Sequence, residues 1–117
     1  MLRPIPEIIS EAREDLRCLS AEDAFAEQST NQGLITDVRE PAEVAEKPAP
    51  NSINIPRGVL EMKLSDSHPD PAQTLYIHCA SGARATLAAE QLRRLGYQNV
   101  TVITCAIDEL RKGQGEA

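Results

Sequence analysis

Short apolar segments alternate with segments of helical spacing along most of this chain of 117 residues. Apolar residues dominate positions 34–38, 52–55, 74–79 and 100–103, and a briefer run lies at 18–19. Strands that are apolar along their length are typical of parallel sheets buried on both faces. Strands that alternate with helices build such sheets. The pattern therefore predicts a single doubly wound α/β domain.

The clearest helix signal runs from Ala83 to Leu95, where apolar residues repeat at three and four. Gly96 follows at the position where helices commonly end. Ser20 is a candidate N-cap for a helix over 21–28. Glu40-Pro41-Ala42-Glu43 suits the first turn of another helix, with proline and acids at its positive end.

The two ends of the chain carry weaker signals. A short helix is predicted over 7–17 and a final one over 107–112. We expect residues 1–16 to form a partly helical N-terminal extension and residues 17–117 to form the domain. Two connections are also predicted: Pro48, Pro50 and Asn51 break the chain before the strand at 52–55, and a polar, proline-rich stretch covers 65–71.

The charge of the chain limits its partners. Twelve basic and 18 acidic residues give a net charge of -6, and there is no Trp, with two Tyr and one Phe. Such a chain is repelled by phosphate backbones and anionic membrane surfaces, and it offers no aromatic platform for bases. The sequence therefore predicts no nucleic-acid partner and no membrane. Without a membrane-length apolar run or a signal-peptide pattern, we expect a cytoplasmic location.

Three cysteines stand at Cys18, Cys79 and Cys105, with no C-x-x-C among them. An odd number at wide spacing is neither a disulfide framework nor a usual zinc site. The sequence therefore predicts no metal and at least one free thiol that needs an explanation.

Cys79 stands at the junction between the strand at 74–79 and the helix that begins at Ala83. In open α/β sheets this edge is where ligands bind. Small residues around Gly82 allow several backbone N–H groups to converge, and a helix N-terminus behind them favours a thiolate. Arg84 adds a positive charge or braces the loop. A cysteine here is either a reactive nucleophile or a small buried hydrophobe, and the surrounding loop favours the nucleophile.

The segment C-A-S-G-A-R at 79–84 resembles the C-x-x-G-x-R active loop of single-domain rhodanese-like sulfurtransferases. Three further motifs appear in the family's order: D-V-R-E-P at 37–41, N-S-I-N-I-P at 51–56 and L-G-Y-Q-N-V at 95–100. The resemblance covers about residues 18 to 112. It implies a rhodanese-like α/β fold with about five mostly parallel strands and helices on both faces.

The resemblance also implies a role for each residue of the loop. Cys79 would carry a persulfide, cradled by the backbone amides of the residues that follow it: Ala80, Ser81, Gly82, Ala83 and Arg84. Asp37 and Arg39, at the same sheet edge, would help to hold this loop. The alternative for this pair is a helix-capping aspartate and a solvated arginine.

The length of the loop separates two chemistries. Four residues lie between Cys79 and Arg84, whereas phosphatases related to this fold need five to cradle a phosphate. The shorter loop suits a sulfur atom and disfavours phosphoryl transfer. One segment departs from the family, because residues 104–110 lack its usual Gly-Gly pair and tryptophan. That departure puts efficiency and substrate in question.

Several other residues have two readings. His78 points away from Cys79 because strand side chains alternate, so we expect a packed or hydrogen-bonded histidine rather than a general base. Cys105 is a packing residue or a second, resolving thiol, with packing favoured. Cys18 is expected in the core. The charged residues of the first helix, Arg13 among them, are expected to form a solvated face.

The resemblance implies a sulfurtransferase that moves sulfane sulfur from thiosulfate or a persulfide to a thiophilic acceptor through Cys79. The acceptor would be a thiol or a sulfur-carrier protein, and no cofactor is needed. The alternative is a catalytically weak rhodanese-fold module that serves in interaction, sulfur carriage or regulation. A phosphatase-like or arsenate-reducing role is a third hypothesis.

Overall fold

The structure, a computed structural model, describes residues 1–49 and 51–113. Pro50 of the predicted chain break and residues 114–117 of the predicted domain lie outside this range. The described residues form one parallel sheet in the order β1-β5-β4-β2-β3. Its strands are β1 (Arg17–Leu19), β2 (Leu34–Asp37), β3 (Ile53–Asn54), β4 (Thr74–His78) and β5 (Asn99–Ile103).

Helices cover both faces of this sheet. They are α1 (Ile5–Glu14), α2 (Ala21–Asn31), α3 (Pro41–Glu46), α4 (Leu60–Ser67), α5 (Ala83–Leu95) and α6 (Ile107–Gly113), with a 3-10 turn at Arg57–Val59. One apolar cluster joins α4 and α5 to the sheet, and a second joins α2 and α6 to it. The prediction of a parallel α/β sheet with helices on both faces is confirmed.

Helix α5 has the predicted bounds, and Gly96 ends it with a φ of 118°. Helix α1 begins and ends earlier than predicted, because Pro6 fits its first turn and Arg17 pairs with Thr101 in the sheet. It packs against α5. The division of the chain at residue 16 stays a prediction.

Helix α4 was not predicted, and it takes up the start of the connection expected at 65–71. Its eight residues bury only Leu60 and Leu64. Two apolar positions are too few to set a helical period apart from a loop. The fold therefore contains one more helix than its sequence pattern indicates.

The parallel register brings distant segments to one edge of the sheet. Asp37 of β2 lies opposite His78 of β4, and Ile77 lies opposite Val102 of β5. Because these strands end at the same level, the segments that follow them meet there. These segments are 38–43, 79–84 and 104–106.

Candidate active site

Cys79 lies at the base of the loop between β4 and α5, and the residue is 1% exposed. Its Sγ accepts the backbone N–H of Gly82 at 3.1 Å and that of Ala85 at 3.4 Å. The first N–H groups of a helix have no partner within it and carry partial positive charge. Two such donors favour a sulfur that bears negative charge. Ala85 is a contact that the sequence analysis did not name.

Gly82 turns the chain into α5 with a φ of 99°. A Cβ at this position would lie 2.8 Å from Arg13 Nη2 and 3.2 Å from the carbonyl oxygen of Thr104. Thr86 fixes the turn from the other side, because its Oγ1 donates to the carbonyl oxygen of Gly82 at 2.7 Å. The positive φ therefore favours glycine, and a Cβ would in addition crowd the carbonyl oxygen of Thr104.

Arg84 is held by Glu43 of α3. Its two terminal nitrogens donate to the two carboxylate oxygens at 2.7 and 2.8 Å. These hydrogen bonds lower the pKa of Glu43 to about 2 and raise the pKa of Arg84. A smaller electrostatic contribution from the nearby Cys79 raises the pKa of Arg84 further. Glu43 was read only as a helix-starting acid, and the structure shows that its carboxylate also accepts the N–H of Glu40.

Asp37 and Arg39 form a buried ion pair, 1% and 2% exposed. Arg39 Nη2 donates to Asp37 at 2.8 Å and to the carbonyl oxygen of Lys47 at 2.8 Å. Arg39 is thus not the solvated side chain of the alternative reading. Its Nη1 also donates to the carbonyl oxygen of Glu43, within α3, at 3.4 Å. Within the described residues, the pair reaches the loop through Glu43 and makes no hydrogen bond to residues 79–84 itself.

His78 is fully buried, and its Nε2 shares a hydrogen bond with Ser52 Oγ at 2.8 Å. Its Nδ1 lies 4.0 Å from an Asp37 carboxylate oxygen. Burial lowers the pKa of His78 to about 4, so the ring is neutral at pH 7. The prediction of a packed, hydrogen-bonded histidine is confirmed.

The segment after β5 closes the site from another side. The carbonyl oxygen of Ala80 accepts the N–H of Ile107 at 2.8 Å, which ties the loop to the start of α6. Cys105 is half-buried, and its Sγ accepts the N–H of Ala21 at 3.2 Å. It therefore packs at the start of α2, as the packing reading expects. Cys18 is half-buried and packs against the core rather than within it.

The prediction that the charged residues of the first helix form a solvated face is wrong for Arg13. It is half-buried, and its Nε donates to Thr86 Oγ1 of α5 at 3.0 Å. The reason is that α1 packs on α5 and turns this arginine toward the loop. A helical charge pattern alone does not show which face meets a neighbouring helix.

Residues 1–49 and 51–113 contain neither a candidate membrane span nor a candidate metal site. No helix there has the length and apolarity to cross a membrane. No group of three or more His, Cys, Asp or Glu side chains there is placed to hold a metal ion.

Several relatives found by sequence similarity are named sulfurtransferases. A mitochondrial thiosulfate sulfurtransferase of Saccharomyces cerevisiae, RDL2, is 35% identical over 101 residues, which cover 76% of this chain and 68% of that protein. A sulfurtransferase of Allochromatium vinosum is 32% identical over 71 residues, covering 61% of this chain and 64% of that protein. A Schizosaccharomyces pombe relative is matched over only 55% of its length. The chain thus spans about half to two-thirds of these relatives.

Two solved structures resemble nearly the whole chain. One is a Rhodopseudomonas palustris protein of unknown function, suggested to be a tyrosine phosphatase, with a TM-score of 0.82 and 26% identity. The match covers 100% of this chain and 95% of that one. The other is the polysulfide-sulfur transferase homodimer of Wolinella succinogenes, with a TM-score of 0.78, 29% identity and coverage of 94% and 82%.

The sequence model of the rhodanese-like domain family matches residues 20–112. This range includes the whole Cys79 loop and every strand of the sheet except β1. The sulfurtransferase names of the relatives agree with that match. The chain belongs to the rhodanese-like domain family of sulfurtransferases.

Proposed function

We propose that this protein transfers sulfane sulfur through a persulfide on Cys79. The observation that carries the proposal is the pair of N–H groups, from Gly82 and Ala85, that meet the Cys79 sulfur at the start of α5. Donors fixed in advance stabilise charge without reorganisation at the moment of reaction. The names of the relatives support the same reaction class.

The reaction has two steps. The Cys79 thiolate attacks the sulfane sulfur of the donor, a new S–S bond forms, and the bond from the sulfane sulfur to the rest of the donor breaks. With thiosulfate the electron pair leaves on sulfite. An acceptor thiolate or cyanide then attacks the outer sulfur of the persulfide. The Cys79 S–S bond breaks, its electron pair returns to Cys79, and the product is a new persulfide or thiocyanate.

The charge of the loop bears on the donor. Thiosulfate is a dianion, but Ala80, Ser81 and Ala83 add no charge, and Arg84 shares its own with Glu43. A donor of lower charge, such as a small or protein-bound persulfide, therefore suits the loop better than thiosulfate. The acceptor would be a thiol or a sulfur-carrier protein. The cytoplasmic location stays a prediction.

Intact mass spectrometry tests the proposal. After incubation with thiosulfate or a small persulfide, the protein should gain the mass of one sulfur atom and lose it on addition of cyanide. Cys79→Ser should gain nothing, whereas Cys18→Ser and Cys105→Ser should each gain and release sulfur as the unchanged protein does. Equal failure of Cys105→Ser and Cys79→Ser would replace this mechanism with a two-thiol one.

A second candidate is a module that takes up sulfur but turns over slowly. The near-complete burial of Cys79 favours it, since an acceptor must reach a sulfur at the base of the loop. Rapid loading followed by slow release to cyanide and to thiols would identify such a module. Release at the rate of loading would exclude it.

A further inference from the structure

Helix α1 forms one wall of a cavity beside the Cys79 loop. The cavity has a volume of about 390 Å³ and is lined by both elements. Most of the lining from α1 is apolar, and the lining residues are Ile5, Pro6, Ile9, Ser10, Arg13, Ser81 and Ala83. The helix lies outside the 20–112 region that the family model matches. This wall therefore lies outside the region that the family model matches.

The positive charge at this wall belongs to Arg13, which differs from other arginines near the sheet edge in its partner. Three arginines are paired with carboxylates: Arg39 with Asp37, Arg57 with Glu61, and Arg84 with Glu43. Over residues 1–49 and 51–113, no carboxylate lies within ion-pair distance of Arg13, whose side chain hydrogen-bonds to the neutral Thr86. Its charge is therefore available to an anion.

Arg13 also lies close to Gly82, whose N–H donates to the sulfur of Cys79. Its Nη2 would lie 2.8 Å from a Cβ built on Gly82, and the N–H of Gly82 donates to Cys79 Sγ. The cavity thus has a cation beside the turn of the loop and an apolar surface along α1. Ile5 is 63% exposed on that surface.

We propose that α1 is part of the donor site: Arg13 binds the anionic end of the sulfur donor, and Ile5 and Ile9 contact an apolar substituent. This rests on the proposed function of Cys79 and adds the substrate class. The preferred donors are organic monoanions, such as thiosulfonates and organic persulfides, over inorganic thiosulfate. With a thiosulfonate, the Cys79 thiolate takes the terminal sulfur, the S–S bond of the donor breaks, and a sulfinate leaves with the electron pair.

Steady-state kinetics with benzenethiosulfonate and thiosulfate test both parts. Arg13→Gln should raise KM for both donors by about 3- to 10-fold with little change in kcat, the loss expected for one partly exposed charged contact. Arg13→Lys should recover most of that loss. Ile5→Ser should raise KM by roughly threefold for benzenethiosulfonate and leave KM for thiosulfate unchanged.

Matched controls lie elsewhere on the surface. Arg94→Gln removes the same charge from an exposed position near the end of α5, and Met62→Ser removes an apolar side chain that is 68% exposed on α4. Neither should change KM for either donor. If Arg13→Gln behaves as Arg94→Gln does, Arg13 does not bind the donor. If Ile5→Ser behaves as Met62→Ser does, the apolar wall plays no part.

A measurement without sulfur transfer separates this inference from the proposed function. The test compares the rate of Cys79 alkylation by anionic iodoacetate with the rate by neutral iodoacetamide. The ratio of the first rate to the second should fall roughly threefold or more in Arg13→Gln and stay unchanged in Arg13→Lys. A protein that loads no sulfur but shows this fall refutes the proposed function alone. A protein that loads sulfur with an unchanged ratio and unchanged KM refutes the role of Arg13 alone.

Discussion

Gly82 combines a positive φ with little room for a Cβ, which would meet Arg13 Nη2 and the carbonyl oxygen of Thr104. We expect Gly82→Ala to lower the free energy of unfolding by roughly 1 to 3 kcal/mol, because an L side chain is strained at this φ and displaces its neighbours. Sulfur loading of Cys79 should fall with it, since the Gly82 N–H meets the sulfur. Chemical denaturation and intact mass measure the two effects.

Gly58 provides the control for that substitution. It lies in the 3-10 turn with open space around it. Gly58→Ala should leave stability within about 0.5 kcal/mol of the unchanged protein and keep sulfur loading. Equal losses at both glycines would show that the strain at Gly82 is not the cause.

His78 makes stability depend on pH. Its pKa is about 4 when folded and about 6.5 in the unfolded chain. Below pH 6.5 the unfolded state binds the proton first, so stability is lost as the pH falls from 6.5 toward 4. By pH 4.5 the loss should reach roughly 2 to 3 kcal/mol, measured by denaturant unfolding at each pH.

His78→Gln should flatten this dependence between pH 6.5 and 5, above the range where ordinary carboxylates titrate. His68→Gln, at the end of α4, should keep it. A slope that survives in His78→Gln would assign the loss to other groups.

Sequence patterns predicted the helices and strands whose buried residues recur several times at a regular spacing. Helix α5 has five buried residues at helical spacing, and its bounds were predicted correctly. Helix α4 buries only two residues, too few for a helical period to show, and it was missed. The two-residue strand β3 lies within the strand predicted at 52–55. The partners of Arg84 and Arg13 depend on how α3 and α1 pack, which a local pattern does not encode. The loop itself could be predicted because its motif consists of consecutive residues, 79–84.

The Cys79–Arg84 loop also predicts which reaction the protein does not perform. Four intervening residues leave too small a cradle for a phosphoryl group, so aryl phosphates should not be hydrolysed measurably. Insertion of one glycine between Ala83 and Arg84 should weaken sulfur loading. Release of p-nitrophenol from its phosphate ester measures the first outcome. Turnover that disappears in Cys79→Ser would instead support the phosphatase suggested for the Rhodopseudomonas palustris structure.

The whole molecule carries a net charge of -6, which repels an anionic donor at long range. Salt screens this repulsion together with the attraction of local arginines. Between about 10 and 150 mM ionic strength, we therefore expect kcat/KM for thiosulfate to change by less than about twofold. Asp66→Lys, on an exposed position of α4, should raise kcat/KM at low salt only. A steep fall with salt in the unchanged protein would mean that local attraction dominates.

The meeting of three chain segments at one sheet edge ties the chemistry of Cys79 to the completion of folding. The loop at 79–84 contacts Glu43, which precedes it by about forty residues, and Thr104 and Ile107, which belong to the last part of the described chain. Such distant contacts form late, because chain entropy is lost before they contribute. In a nascent or unfolded chain, the N–H groups of Gly82 and Ala85 are therefore not fixed at the Cys79 sulfur. The two donors converge on the sulfur only when β4 and β5 lie side by side and α5 packs on them, so the setting of the Cys79 sulfur is a property of the completed sheet.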